Sequence, residues 1–127
     1  MGPETHTSEN VGKTPLRSII VEFKKPAPAA GKGRNPSFPA PYKQVADHPH
    51  ARVFELVAPA GSSVAKHTHG AGVLISLADG TAESTDSDGK KEAMTFKKDT
   101  AQLGAPTTHS AVNTGKSALH LITVELK

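Results

Sequence analysis

The sequence predicts an all-β domain, a sandwich or barrel of short strands, on three observations. Beyond Tyr42, short runs rich in Val, Ile, Leu, Phe and Thr recur between turn residues, the spacing expected of a small β-fold. Asp-Gly pairs at 79–80 and 88–89 read as hairpin signals, because glycine accepts the positive φ that tight turns require. The one segment with helical composition, 90–98, would make only about two turns. It contains Thr95-Phe96 and follows a glycine turn, so it reads as strand.

Taken in order, the chain divides into three parts: residues 1–25, 26–41 and 42–127. Residues 1–25 repeat the C-terminus. Without a gap, 4–24 against 107–127 gives ten identities in 21 positions, including His6/His109, Asn10/Asn113, Gly12/Gly115, Leu16/Leu119, Val21/Val124 and Glu22/Glu125. The segment 16–23 is therefore as strand-like as 119–126. Left unpaired it would be an aggregation-prone edge, so it is expected to add as an extra strand to a sheet of the same chain or of a partner. Residues 26–41, dense in Pro, Ala and Gly, can sustain neither helix nor ladder and read as a semi-rigid linker. In 42–127, strands are expected near 51–58, 63–67, 72–78, 81–84, 91–96, 101–103, 109–112 and 118–126. The dipeptide rhythm at His48-Pro-His50, preceded by Asp47, reads as a loop.

Composition excludes several function classes. The chain has no cysteine, so it has neither disulfides nor a thiolate nucleophile. No apolar run reaches the length of a membrane span, and the first 20 residues show no apolar targeting core. A soluble protein is expected, with its compartment open. The net charge of +3 arises in residues 1–50, with seven Lys/Arg against four Asp/Glu; residues 51–127 balance at eight against eight. With no Trp, one Tyr and four Phe, a basic stacking surface for nucleic acid is not expected.

The chemistry gathers between Gly61 and Asn113. In an extended strand His67 and His69 project to one face, offering two imidazoles to one point. His109 lies 40 residues on and needs a returning strand to join them. Carboxylates cluster at turns (Asp79, Asp86, Asp88, Asp99), which points to solvated roles. His120 shares strand parity with Ile122, Val124 and Leu126 and so is expected either in the core or lining a pocket.

The run from Gly61 through His67-Thr-His69 to Gly80, followed by His109-Ser-Ala-Val-Asn113, resembles the two sequence motifs of the cupin superfamily, over about residues 42–127. Two departures stand out. The pattern's Glu falls at Val73 or Leu74, and its proline and glycine before the second histidine appear displaced as Gly104 and Pro106.

The resemblance implies a small jelly-roll barrel in which His67, His69 and His109 hold one divalent transition metal. Iron is the first expectation, with zinc, nickel, manganese and copper compatible. Val73, Leu74, Ile75, Leu103 and His120 are the expected pocket residues, with no protein carboxylate on the metal and Asn113 supporting the turn after it. It further implies that residues 1–25 are the last strands of a preceding barrel, as in a tandem bicupin. The functions that follow are a dioxygenase-like oxidoreductase acting on a small organic acid or dicarbonyl, a non-catalytic binding module for metal or small ligand, or a structural dimerisation domain. The expected partners are a small molecule and a second copy in a homodimer.

Overall fold

The computed structural model describes residues 5–22 and 38–126. Among these are nine strands and no helix. They are β1 Lys43–His48, β2 Ala51–Ala58, β3 Ser63–His69, β4 Gly72–Ser76, β5 Gly80–Asp86, β6 Lys91–Phe96, β7 Thr100–Gly104, β8 Thr107–Asn113 and β9 Leu119–Leu126. All pairings are antiparallel. One sheet runs β1-β2-β9-β4-β7 and the other β3-β8-β5-β6. No helix among the described residues is long and apolar enough to cross a membrane.

Strand alternation places two apolar layers. Facing the other sheet, Leu56, Ala58, Leu119 and Leu121 pack with Val64, Ala82 and Phe96 as the core between the sheets. On the opposite, outer face of the five-stranded sheet, Ala51, Ile75 and Val124 form a second cluster with Val53, Val73, Leu77, Ile122 and Val21. An antiparallel sheet usually keeps its outer face polar; here β9 is apolar on both.

Several sequence expectations need revision. Pro49 and Asp47 make the sequence around His48 read as loop, and no strand is expected at 43–48. β1 forms there as an exposed edge strand with a register shift between Gln44 and Ala46. The pair Asp88-Gly89 does close the β5–β6 hairpin, with Gly89 at φ 83°. Asp79-Gly80 does not close one: β4 and β5 belong to different sheets, so this turn is a crossover. A Cβ at Gly80 would run into the end of the Leu119 side chain, which would have to shift to admit it.

The N-terminal arm repeats its C-terminal counterpart in hydrogen bonds as well as residues. Asn113 Nδ2 donates to the Ser117 carbonyl at 2.9 Å, and its Oδ1 accepts from Gly115 N–H at 2.9 Å. Asn10 Nδ2 donates to the Thr14 carbonyl at 2.8 Å, and its Oδ1 accepts from Gly12 N–H at 2.9 Å. The expected extra strand at 16–23, however, is not formed over the described residues 16–22, and Phe23 lies outside them. The reason is direction. Arg17 pairs with Asp99 just before β7, Val21 packs against the outer cluster, and Ile19 and Val21 line one groove with Ile75, Ile122, Ala51 and His48. The arm thus crosses the strands of the outer face, and a chain lying across strands cannot share their ladder. The linker 26–41 falls outside the described residues up to residue 37.

Candidate metal centre

β3 and β8 are neighbours, and their register sets His67 opposite His109. His69 lies two residues along the same face of β3. The ligand atoms of all three lie within 4.8 Å of one another, and no carboxylate among the described residues joins the group. His67 is buried and the other two are half-buried.

The ring orientations are held from behind. His67 Nδ1 donates to the Ala65 carbonyl at 2.8 Å, and a carbonyl can only accept. Its Nε2 therefore carries a lone pair, is buried, and has no hydrogen-bond partner among the described residues. His109 Nδ1 meets Ser84 Oγ at 2.9 Å, which turns its Nε2 toward His69 Nε2 at 3.1 Å. His69 is also held by a backbone hydrogen bond at Gly70. Just behind it, Gly70 N–H donates to buried Glu125 Oε1 at 2.7 Å, tying the end of β3 to β9.

The site keeps its imidazoles neutral. Burial, followed by the nearby His67 and His69, brings His109 down to about 4. Burial and then His67 lower His69. Burial lowers His67 against the opposing pull of the Ala65 carbonyl. Neutral imidazole is the ligating form. A buried, partnerless Nε2 beside two Nε2 atoms that face each other, each ring braced from behind, is a donor set that fits a divalent transition metal.

The segment before β1 closes one side. Phe38 packs on Phe54, ring centroids 4.1 Å apart, and lies nearly parallel to His69 at 6.2 Å. Tyr42 meets His67 edge-on at 5.3 Å, and burial pushes its phenol up to about 12, so the hydroxyl stays a neutral donor. In front of the histidines lies a cavity of about 300 Å³, walled mainly by apolar side chains such as Leu56, Val64, Leu74, Met94 and Phe96.

The expected pocket residues separate. Leu74 shares the inward parity of β4 and packs against the inter-sheet core. Val73 and Leu103 border the cavity, but Val73 packs into the outer cluster and Leu103 is 89% exposed. Ile75 is buried in that outer cluster. His120 is neither core nor pocket: it projects from the outer face, where its Nε2 meets Glu55 Oε2 at 2.8 Å. Parity alone could not tell the two faces apart, because both are apolar. Asn113 is buried and bonds Ala58, Ser117 and Gly115, the turn-supporting role expected of it. His48, half-buried, and His50, exposed, lie beside each other, apart from the centre. Ser84, Tyr42 and Phe38 were not singled out from sequence; the glycine-bounded β5–β6 hairpin was visible, but its pairing with β8 was not.

No family model matches the chain, and no curated protein matches it. Solved structures do. A cupin domain from Bordetella pertussis Tohama I superposes with a TM-score of 0.63 at 16% identity, covering 68% of this chain and 91% of that one. An uncharacterised double-stranded β-helix protein from Klebsiella pneumoniae gives 0.55 at 21% identity, covering 72% and 76%. An RmlC-like cupin family protein from Methanocaldococcus jannaschii gives 0.54 at 16%, covering 73% and 89%. Two antiparallel sheets joined in this order, with the histidine triad between them, give this chain the cupin fold, the double-stranded β-helix.

Proposed function

We propose that the chain is a mononuclear three-histidine metalloprotein that binds a small organic molecule in its cavity, and that with iron(II) it acts as a dioxygenase-like oxidoreductase on a dicarbonyl or small organic acid. The observation that carries the reading is the convergence of three braced imidazoles on one point, with the buried Nε2 of His67 lacking a protein partner. His67, His69 and His109 would hold the metal, which supplies Lewis acidity and, as iron, the capacity to engage O₂. Three neutral ligands would leave the ion's full double charge to the organic ligand. Ser84 and the Ala65 carbonyl orient the rings, Tyr42 offers a hydroxyl proton, and Leu56, Val64 and Leu74 exclude water.

A second reading, a binding module without turnover, is favoured by the thin supply of acid–base groups. Burial holds the Tyr42 phenol neutral, so it provides no base near pH 7. The two readings separate on anaerobic loading with Fe(II) followed by O₂-uptake measurements across a panel of diketones and organic acids. Uptake matched by substrate loss, and abolished in His109→Ala, is the expected result. Ligands that perturb the metal's spectrum without O₂ uptake would leave the binding module.

A further inference from the structure

The cavity's charge is lopsided, and this bears on which ligand it takes. Besides the histidines, the ionisable side chains lining it are Tyr42, Asp86 and Glu92; no Lys or Arg is among the lining residues. Both carboxylates stand on the β5–β6 hairpin with the inward parity of Ser84. Asp86 is the register partner of His109, and Glu92 is that of Ser84. The neighbouring cations are engaged elsewhere or absent from the wall. Lys91 has the opposite parity and pairs with Glu83 at 3.4 Å, while Lys90 is exposed at the turn. Asp86 Oδ1 accepts from the Asp88 and Lys90 N–H groups, which holds its carboxylate at the β5–β6 turn, at the rim of the cavity it lines. Across β8 from Asp86 in the same sheet, His67, 5% exposed, has its partnerless Nε2 buried beside the other two imidazoles.

We infer that the ligand of this centre has two unlike ends: a donor atom for the metal, and a cationic or neutral outer end, an ammonium group foremost, that meets Asp86 and Glu92. Molecules whose outer end is a free carboxylate or phosphate are selected against. This rests on the metal-centre reading above and narrows its substrate class away from di-acids. The physical reason is that carboxylates at the rim of an apolar cavity act on a tail charge held within a few ångströms, well inside the Debye length at low ionic strength.

The test uses the full chain loaded anaerobically with Co(II), whose ligand-field bands report the centre. The probes are three short thiols that share a sulfur donor and differ at the tail: 2-aminoethanethiol, 2-mercaptoethanol and 3-mercaptopropionate. Sulfur-to-cobalt charge-transfer absorption gives each Kd. The expected order is ammonium tightest and carboxylate weakest, with a spread of about tenfold or more at low ionic strength that narrows in high salt. In Glu92→Gln the spread should shrink about threefold. Glu92 is exposed, so this variant tests the rim without disturbing the turn that Asp86 holds. A carboxylate tail that binds as well as the ammonium, or a spread unchanged in both Glu92→Gln and Asp86→Asn, overturns the inference while the cobalt bands leave the centre standing. Failure of cobalt bands to appear overturns the centre and this inference with it.

Discussion

Ser84 and the Ala65 carbonyl set how two of the three imidazoles are presented. His67 must carry its proton on Nδ1, because the Ala65 carbonyl at 2.8 Å accepts only. Ser84 Oγ, 2.9 Å from His109 Nδ1, sets the orientation of that ring and leaves Nε2 facing the other imidazoles. Such orienting partners govern affinity through the ligands they hold, so Ser84→Ala should weaken metal binding about 10- to 100-fold while leaving the fold intact. Competition with a chelating indicator dye would measure it.

The same burial sets a pH dependence for the metal-free chain. All three histidines have folded-state values below the ordinary value near 6.5, His109 at about 4. The unfolded chain therefore takes up protons first as pH falls. Stability is fully present above about 6.5 and is lost through the window down to about 4. A drop in Tm of about 5 °C or more between pH 7 and pH 5 is expected, and replacing the three histidines by Gln should flatten it.

At the scale of the strand, β4 separates two substitutions that look equivalent in sequence. Val73 and Leu74 both sit where the motif's Glu would stand, yet Leu74 shares the core side of the sheet and Val73 packs outward. Leu74→Glu should strengthen metal retention by adding a carboxylate on the cavity side. Val73→Glu should place a charge in the outer apolar cluster and cost about 1–3 kcal/mol without helping the metal. Isothermal titration with Zn(II), paired with denaturant unfolding, reads both effects.

How far the sequence was legible follows from the same physics. The bounds of β2 could be read because its Val, Phe and Leu are strand-forming and Pro59 ends it; those of β6, despite its helical composition, because the Gly89 turn precedes it and Thr95-Phe96 close it. The His67/His69 pair could be read because period two is a local property of a strand. Which face lies inside is not local. β9 carries Leu119 and Leu121 on one side and Ile122 and Val124 on the other, so His120 could be assigned a row but not a side. β1 escaped because an exposed edge strand needs no apolar alternation, and Ser84 because only the β5–β8 pairing makes it a neighbour of His109.

For the whole molecule, the arm is the unsettled element. Its turn reproduces the one after β8 bond for bond, yet Leu16 and Ile20 are 77% and 84% exposed, whereas their counterparts Leu119 and Thr123 are buried. Residues built like a closing strand thus lie over an apolar sheet face with much of their surface open. We propose that a second copy covers this region as a homodimer, since each chain brings both the arm and the face. Deleting residues 1–25 should convert dimer to monomer in light scattering and lower Tm by several degrees, about 1 kcal/mol or more. An unchanged mass and Tm would make the arm dispensable.

The central claim is that three histidines from two neighbouring strands form one metal centre. Its most direct test is elemental analysis of the full chain after loading with a single divalent ion and gel filtration. The account predicts one ion per chain, falling below about a tenth of that in each of His67→Ala, His69→Ala and His109→Ala, and unchanged in His48→Ala. A folded wild-type chain that retains no ion, or a chain that retains it equally well when all three histidines are replaced, would contradict it.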